Sequence, residues 1–279
     1  MPAQPELPLR PMTLGELLDA AMALLRSRAL PLLTAGALLG LLEQAILAPL
    51  RAAAFATPPY YGPARGHFGQ WWGITAAGFA TEIVILTLLG ALAAAAAGPA
   101  LLGRAVRHRE LWPRTRPLST VVVALVLGAV GVVGAFAGLL PWLLLYGLFS
   151  LAPAVLVIDR SGNPFSALWR SARLTARGGL RGFWTLICAY LTWFVIRFAL
   201  GSGWVWVLTR LGGGGEPAWL GWLTPVAWAL ANAVAYSALA CVAAVLLLET
   251  RIRTEGLDIA IGRARGRGED DSAALVYAR

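Results

Sequence analysis

A few polar side chains interrupt the long apolar runs of this chain, and chemistry could take place at these positions. Glu82, Arg197 and Asn232 each lie inside a different apolar run, and Glu43 lies inside a fourth. At 1.5 Å of rise per residue, the first three are ~16 to 20 Å from the outer ends of their helices. Glu43 is somewhat nearer that end. The spacing therefore predicts a polar cluster of Glu82, Arg197, Asn232 and Glu43 in the middle of a helical bundle.

Two roles fit this cluster. Charged groups inside a bilayer are costly, so the cluster could bind a substrate or relay protons. Alternatively, Glu82 and Arg197 could form a buried ion pair that fixes helix packing. We favour the packing role, because relays require chains of ionisable groups and few others are present. A water-filled cavity lined by Glu82, Arg197 and Asn232 would indicate transport, and a packed core would indicate a scaffold.

A second candidate site is a stripe of arginines at Arg170, Arg173, Arg177 and Arg181. The spacing i, i+3, i+7 and i+11 places them on one face of a helix. Such a stripe could bind anionic lipid headgroups or an acidic partner. Basic residues beside apolar spans also set membrane orientation, and we favour this simpler role.

The chain lacks the common catalytic and metal-binding motifs. It contains no P-loop, no HExxH, no nucleophile elbow and no paired cysteines. Cys188 and Cys241 stand alone in apolar runs and are expected to be buried small side chains. We therefore predict no catalytic residues, no cofactor and no metal site. The net charge is +9, but no basic soluble face is present, which argues against nucleic-acid binding.

The composition is that of a membrane protein. Of the 279 residues, 58% are hydrophobic and only 13% are charged, whereas soluble domains carry about a quarter charged residues. Several runs have the roughly 20 residues needed to cross the hydrocarbon layer. The predicted spans are 29–50, 71–102, 119–138, 142–158, 182–209 and 219–248. The number of spans depends most on the uncharged segment 119–158, which Gly138 to Pro141 interrupts. If the hairpin around this interruption is re-entrant, only four full spans remain.

Two shorter helices are predicted beside the spans. Thr13 and Glu16 form a capping box at the start of helix 13–28. Asn163-Pro164 is a helix-start signal for helix 164–177. Each has an apolar stripe and a polar face, which is typical of a helix lying in the membrane interface.

These elements predict an all-α, polytopic membrane helical bundle with about six transmembrane helices and two cytoplasmic interfacial amphipathic helices. The predicted domains are a flexible N-terminus (1–12), one transmembrane domain (13–250) and a basic, mostly flexible cytoplasmic tail (251–279). With six spans, 19 of the 23 arginines fall on one side and 3 on the other. The positive-inside rule then predicts a multi-pass protein of the plasma (inner) membrane with both termini cytoplasmic.

Four segments resemble a family of bacterial membrane proteins common in actinobacteria, the glycerophosphoryl diester phosphodiesterase membrane domain group. The resemblance covers nearly the whole chain and implies a membrane domain without established activity. No residue here matches the catalytic residues of the barrel for which the family is named. The matching segments are 10–20, 152–157, 169–175 and 251–258.

The predicted function is a non-catalytic membrane subunit or scaffold of the bacterial cell envelope. The alternative is a small-molecule or lipid transporter with a polar midplane site. The predicted partners are the lipid bilayer, anionic lipid headgroups and other membrane proteins.

Overall fold

The computed structural model describes residues 7–56, 61–177, 180–211 and 219–276, and within these ranges every regular element is helical. A π-helical turn at Ala199–Gly203 joins α9 to α10, and a 3₁₀ turn at Asp271–Leu275 follows α12. The α-helices are α1 (Leu14–Ser27), α2 (Ala29–Ala53), α3 (Phe68–Leu101), α4 (His108–Arg114), α5 (Pro117–Phe136), α6 (Leu139–Phe149), α7 (Ala152–Ile158), α8 (Pro164–Ala176), α9 (Arg181–Phe198), α10 (Trp204–Leu211), α11 (Leu220–Glu255) and α12 (Leu257–Gly266).

Six of the described helical segments are long and apolar enough to cross a membrane, which confirms the predicted number. Four of them are the single helices α2, α3, α5 and α11. The other two are composite, since α6 continues into α7 after a short break and α9 continues through the π-helical turn into α10. The apolar stretches of α3 and α11 are 83% and 89% buried, the highest shares among the six, so these two helices form the centre that the other four surround.

The division of segment 119–158 falls where the sequence predicts it. Gly138 links α5 to α6 with φ +116°, a conformation that residues with a Cβ rarely adopt. The indole nitrogen of Trp72, near the start of α3, donates a 2.9 Å hydrogen bond to the carbonyl oxygen of Phe136. The turn after α5 therefore lies level with the beginning of α3. The α5–α6 hairpin therefore extends as far as the beginning of α3, and its two apolar segments, Pro117–Phe136 and Leu139–Ile158, are each 20 residues long.

The backbones of α2 and α11 approach each other closely through four small residues. Gly36 faces Ala233, and Gly40 faces Ala229 one turn along the same interface. A Cβ added at Gly40 would lie 2.9 Å from the carbonyl oxygen of Ala229, too close without a backbone shift. Small residues four apart allow two helix backbones to touch in this way. This contact holds Glu43, the next turn of α2, against α11.

We predict that Gly40→Leu forces α2 away from α11. Overpacking of this kind is expected to lower the free energy of unfolding by about 1 to 3 kcal/mol. Gly73→Leu is the matched control, because a Cβ there meets no atom within 4 Å. Thermal unfolding of the purified protein in detergent measures both. Equal shifts of the two melting temperatures would contradict the close contact.

Both predicted amphipathic helices are present. The Thr13 hydroxyl accepts a 3.3 Å hydrogen bond from the Glu16 backbone amide, and the Glu16 carboxylate accepts a 2.8 Å bond from the Thr13 amide. This is the predicted capping box. Hydrogen bonds from Arg10 and from Thr13 lower the pKa of Glu16 to about 2. At the start of α8, the Asn163 side chain accepts a 2.9 Å bond from the Phe165 amide.

The tail differs from the flexible segment that we expected. Residues 251–276 complete α11 and form α12 and the 3₁₀ turn, and Leu257, Ile261 and Leu275 are buried. Hydrogen bonds and ion pairs attach the segment to the bundle. Arg251 donates a 2.7 Å hydrogen bond to the carbonyl oxygen of Leu275, and Arg104 pairs with Asp271 at 2.5 Å. Apolar residues at helical spacing give α12 a face to bury, which explains the difference.

The described part of the N-terminus is also packed. Leu7 and Met12 are buried, although we expected 1–12 to be flexible; residues 1–6 lie outside the described ranges. The Met12 carbonyl oxygen accepts hydrogen bonds from Arg181 at 3.1 Å and from Arg253 at 3.0 Å. The chain ends thus meet α9 and α11 at one end of the helices, which we call the basic end. The opposite end, at residues 54–56, 61–67 and 137–138, is called the loop end.

Candidate functional site

Glu82 on α3 and Arg197 on α9 form a buried ion pair. The Arg197 Nη2 atom lies 2.8 Å from Glu82 Oε2, and both side chains are almost fully shielded. The same Nη2 donates to the Tyr190 hydroxyl at 3.0 Å. The guanidinium also lies 5.1 to 5.6 Å from the ring centres of Tyr190, Phe194 and Tyr236. Three aromatic rings therefore surround the cation where water would otherwise solvate it.

Glu43 on α2 has neutral partners. Its carboxylate accepts hydrogen bonds from Asn232 Nδ2 at 2.9 Å and from Thr81 Oγ1 at 3.0 Å, and a longer one from the Tyr236 hydroxyl at 3.4 Å. No arginine that the structure describes lies within 4.0 Å of it. Tyr236 touches both Glu43 and Arg197, so it connects this group to the ion pair. The structure thus brings together all four residues of the predicted polar cluster.

A cavity of about 330 Å³ lies against this cluster. Its lining begins at Tyr61, Trp71 and Leu139, at the loop end of the helices, and reaches Glu82 and Arg197 in their middle. The volume is at the lower end of the range for small-molecule sites. The wall is largely aromatic, and the polar cluster forms its floor. The remaining lining residues are Glu43, Gln44, Arg51, Ala56, Trp72, Ile74, Thr75, Gly78, Phe79, Phe194, Phe198, Trp228, Asn232 and Tyr236.

Two acceptors on the cavity floor have no partner. Glu82 Oε1 and Asn232 Oδ1 are buried and accept no hydrogen bond from any described residue. Most buried polar atoms in proteins are paired, because an unpaired one costs about 1 to 3 kcal/mol. Since both residues line the cavity, the floor offers these acceptors to a molecule that can donate hydrogen bonds.

Sequence reasoning missed several parts of this site. Tyr190 and Tyr236 contact the charged groups, and their spacing in the sequence could have indicated this. Tyr190 precedes Arg197 by two helical turns, and Tyr236 follows Asn232 by one. Gln44 accepts a 3.0 Å hydrogen bond from Arg51, which lies nearer the loop end.

The π-helical turn at Ala199–Gly203 was also missed. Turns of this kind interrupt α-helices frequently at functional sites. Here the turn directly follows Arg197 and Phe198. Gly201 packs against Trp228 so closely that a Cβ would lie 2.4 Å from the indole ring. Only a residue without a side chain fits there. The two glycines of Gly201-Ser202-Gly203 are the sequence feature that could have indicated this turn.

The arginine stripe does not form one open face, because a carboxylate network holds part of it. Asp159 is fully shielded and pairs with Arg170 and, at 2.7 Å, with Arg251. Glu255 accepts from Arg170 at 2.8 Å, from Arg251 at 3.1 Å and from Arg177 at 3.5 Å. Two of the four stripe arginines therefore join α8 to the end of α11.

The other two stripe arginines have different surroundings. Arg181 lies 3.8 Å from Glu249 and donates to the Met12 carbonyl. Arg173 lines a second cavity of about 330 Å³ beside α8, together with Arg160, Arg170 and Arg177. Among the described residues, Arg160 and Arg173 have no carboxylate within 4.0 Å. This cavity thus has a surplus of positive charge.

Within the described ranges, no group of three or more His, Cys, Asp or Glu side chains could hold a metal ion. Comparison with family models, with curated proteins and with solved structures finds no match to this chain. The resemblance to the phosphodiesterase membrane domain family stays a prediction, and function is inferred from the geometry of the chain itself.

Proposed function

We propose that this chain is a multi-pass protein of the plasma (inner) membrane, with its six apolar helices across the bilayer and both termini in the cytoplasm. Large apolar side chains such as Leu38, Val133 and Val195 are about two-thirds exposed on the outer faces of the helices, where lipid would cover them. Arginines concentrate at the basic end, in agreement with the positive-inside rule. In this orientation α1 and α8 lie in the cytoplasmic interface, and the loop end faces outward.

Within that membrane bundle, we propose that the protein binds a small molecule in the cavity entered from the loop end. The observation that carries this proposal is the cavity of about 330 Å³ above Glu43, Glu82, Arg197 and Asn232. Its walls are apolar and its floor holds a few convergent polar groups, which is the usual composition of a small-molecule site. This arrangement favours the transporter alternative over the non-catalytic scaffold, since a scaffold needs no such cavity.

Cysteine accessibility tests both the cavity and its orientation. Thr75 and Gly78 line the cavity on α3. In a background with Cys188→Ala and Cys241→Ala, we expect Thr75→Cys and Gly78→Cys to react in intact cells with a membrane-impermeant thiosulfonate reagent. The reason is that the cavity admits water from the outer side, and the reagent needs a hydrated thiolate.

Val195→Cys is the control for this experiment. Val195 is 66% exposed on α9 but does not line the cavity, so lipid should cover it and prevent labelling. Labelling at Thr75→Cys and Gly78→Cys only after the membrane is permeabilised would contradict the outward orientation. No labelling under either condition would contradict the cavity.

We also propose that the cavity beside α8 binds the headgroup of an anionic lipid. Arg160 and Arg173 supply charge that no described carboxylate neutralises, and the neighbouring Trp169 is 68% exposed, as an interfacial tryptophan would be. The combined variant Arg160→Gln/Arg173→Gln is expected to lower the fraction of anionic lipid that co-purifies with the protein. Lipid extraction and mass spectrometry measure this fraction. Arg263→Gln is the control, and an unchanged fraction in the double variant would contradict the site.

A further inference from the structure

Of the two carboxyl groups on the cavity floor, only Glu82 has an arginine that the structure describes within 4.0 Å. Glu82 is paired with Arg197, whereas Glu43 has only the neutral donors Asn232, Thr81 and Tyr236. Arg51 donates to Gln44 and does not reach either carboxylate within 4.0 Å. A buried carboxylate without a cation is costly, so a positive charge brought by a ligand would stabilise the floor.

The unpaired atoms of the floor specify one end of that ligand, while in the wall the Trp228 indole Nε1 is a buried donor without a partner among the described residues. Glu82 Oε1 and Asn232 Oδ1 are both acceptors, and both residues are 3% exposed. A ligand group that fits them must therefore donate at least two hydrogen bonds. A primary or secondary ammonium group has two or three N–H donors and a positive charge, so it meets both requirements.

The walls specify the rest of the molecule. Phe79, Phe194, Phe198, Trp71 and Trp228 present aromatic rings to the cavity. Aromatic faces attract cations, and the attraction is strongest where water is excluded. They also favour contact with an apolar or aromatic ligand body. The Arg197 guanidinium points to Glu82 and Tyr190, and of these five wall rings it lies near Phe194.

From these observations we propose that the cavity selects small organic ammonium ions with N–H donors and an apolar or aromatic body. The ammonium group lies between Glu43, Glu82 and Asn232, and the body lies between the aromatic walls. This inference rests on the proposed function, since it names the ligand class of the same cavity.

Three probes of similar size separate charge from hydrogen-bond donation. Benzylammonium has both, benzyl alcohol has a donor without charge, and phenyltrimethylammonium has charge without an N–H. We expect the purified full-length protein to bind benzylammonium at least tenfold more tightly than either of the others in equilibrium dialysis. Equal binding of benzyl alcohol would overturn the role of charge, and equal binding of phenyltrimethylammonium would overturn the role of the donors.

Two variants locate the binding. Glu43→Gln, which is nearly the same size, is expected to reduce benzylammonium binding at least tenfold and to leave benzyl alcohol binding unchanged. Thr75→Trp fills the cavity and is expected to abolish binding, whereas Gly73→Trp, two residues away and outside the lining, should retain it. Binding of benzylammonium that survives Thr75→Trp would overturn the assignment, even if Glu43→Gln fails to fold.

The cysteine experiment distinguishes this inference from the function on which it rests. If none of the probes binds while Thr75→Cys and Gly78→Cys are labelled from outside, the ammonium inference fails and the outward cavity stands. If the probes do not bind and labelling is also absent, both fail.

Discussion

Replacing Arg197 by methionine is expected to lower the free energy of unfolding by about 3 to 5 kcal/mol, because it leaves Glu82 buried without its cation. The two side chains are in contact at 2.8 Å and only 6% and 5% exposed, so the protein shields most of the carboxylate from the water that would solvate it without the arginine. Thermal unfolding in detergent, followed by circular dichroism, measures the loss. Arg210→Met is the control, since Arg210 is an exposed cation near the ring of Trp206.

A double-variant cycle separates the ion pair from simple loss of packing. Glu82→Gln removes the buried negative charge, so the double variant Glu82→Gln/Arg197→Met is expected to be more stable than Arg197→Met alone. Additive losses in the two single variants would contradict a packing role for the pair. Rescue by the double variant, accompanied by loss of ligand binding, would show that the same residues serve stability and recognition.

The helical framework could be predicted well, because its determinants are local. Each feature that determines a helix or its end depends on residues close together in the sequence. These features are the apolar runs of sufficient length, Gly138 between two of them, and the capping residues Thr13 and Asn163. The depth of Glu82 and Arg197 also followed from counting residues along their helices. Their pairing also required the two side chains to meet across the bundle, which equal depth allows but does not determine.

The cavity could not be predicted, because it depends on contacts distant in sequence. The approach of α2 to α11 at Gly40 and Ala229 places Glu43 beside Asn232, and the π-helical turn brings Gly201 against Trp228. A single sequence shows that these residues are small or polar but not which helices meet. For the same reason the sequence did not show that Asp159 and Glu255, which lie outside α8, pair with Arg170 and Arg177 of the arginine stripe.

Arg251→Met is expected to release the tail from the basic end as well as to destabilise the bundle. Arg251 is 5% exposed and reaches Asp159, Glu255 and the Leu275 carbonyl, so it joins α7, α11 and the 3₁₀ turn at one point. Among the described residues, its removal leaves Asp159 with Arg170 as its only cation and the Leu275 carbonyl without this donor. We expect a loss of about 3 to 5 kcal/mol in the free energy of unfolding.

Hydrogen exchange gives the more specific measurement for Arg251. In Arg251→Met, backbone amides of residues 257–276 should exchange faster, because the segment opens locally at a lower free energy than the bundle unfolds. Peptides from α3 should keep their slow exchange under the same conditions, since that helix is packed elsewhere. Arg263→Met is the control, because Arg263 lies on α12, is exposed and makes no ion pair with the described residues. If exchange in 257–276 is the same in both variants, Arg251 does not hold the tail, and the packing of Leu257 and Ile261 alone accounts for its position.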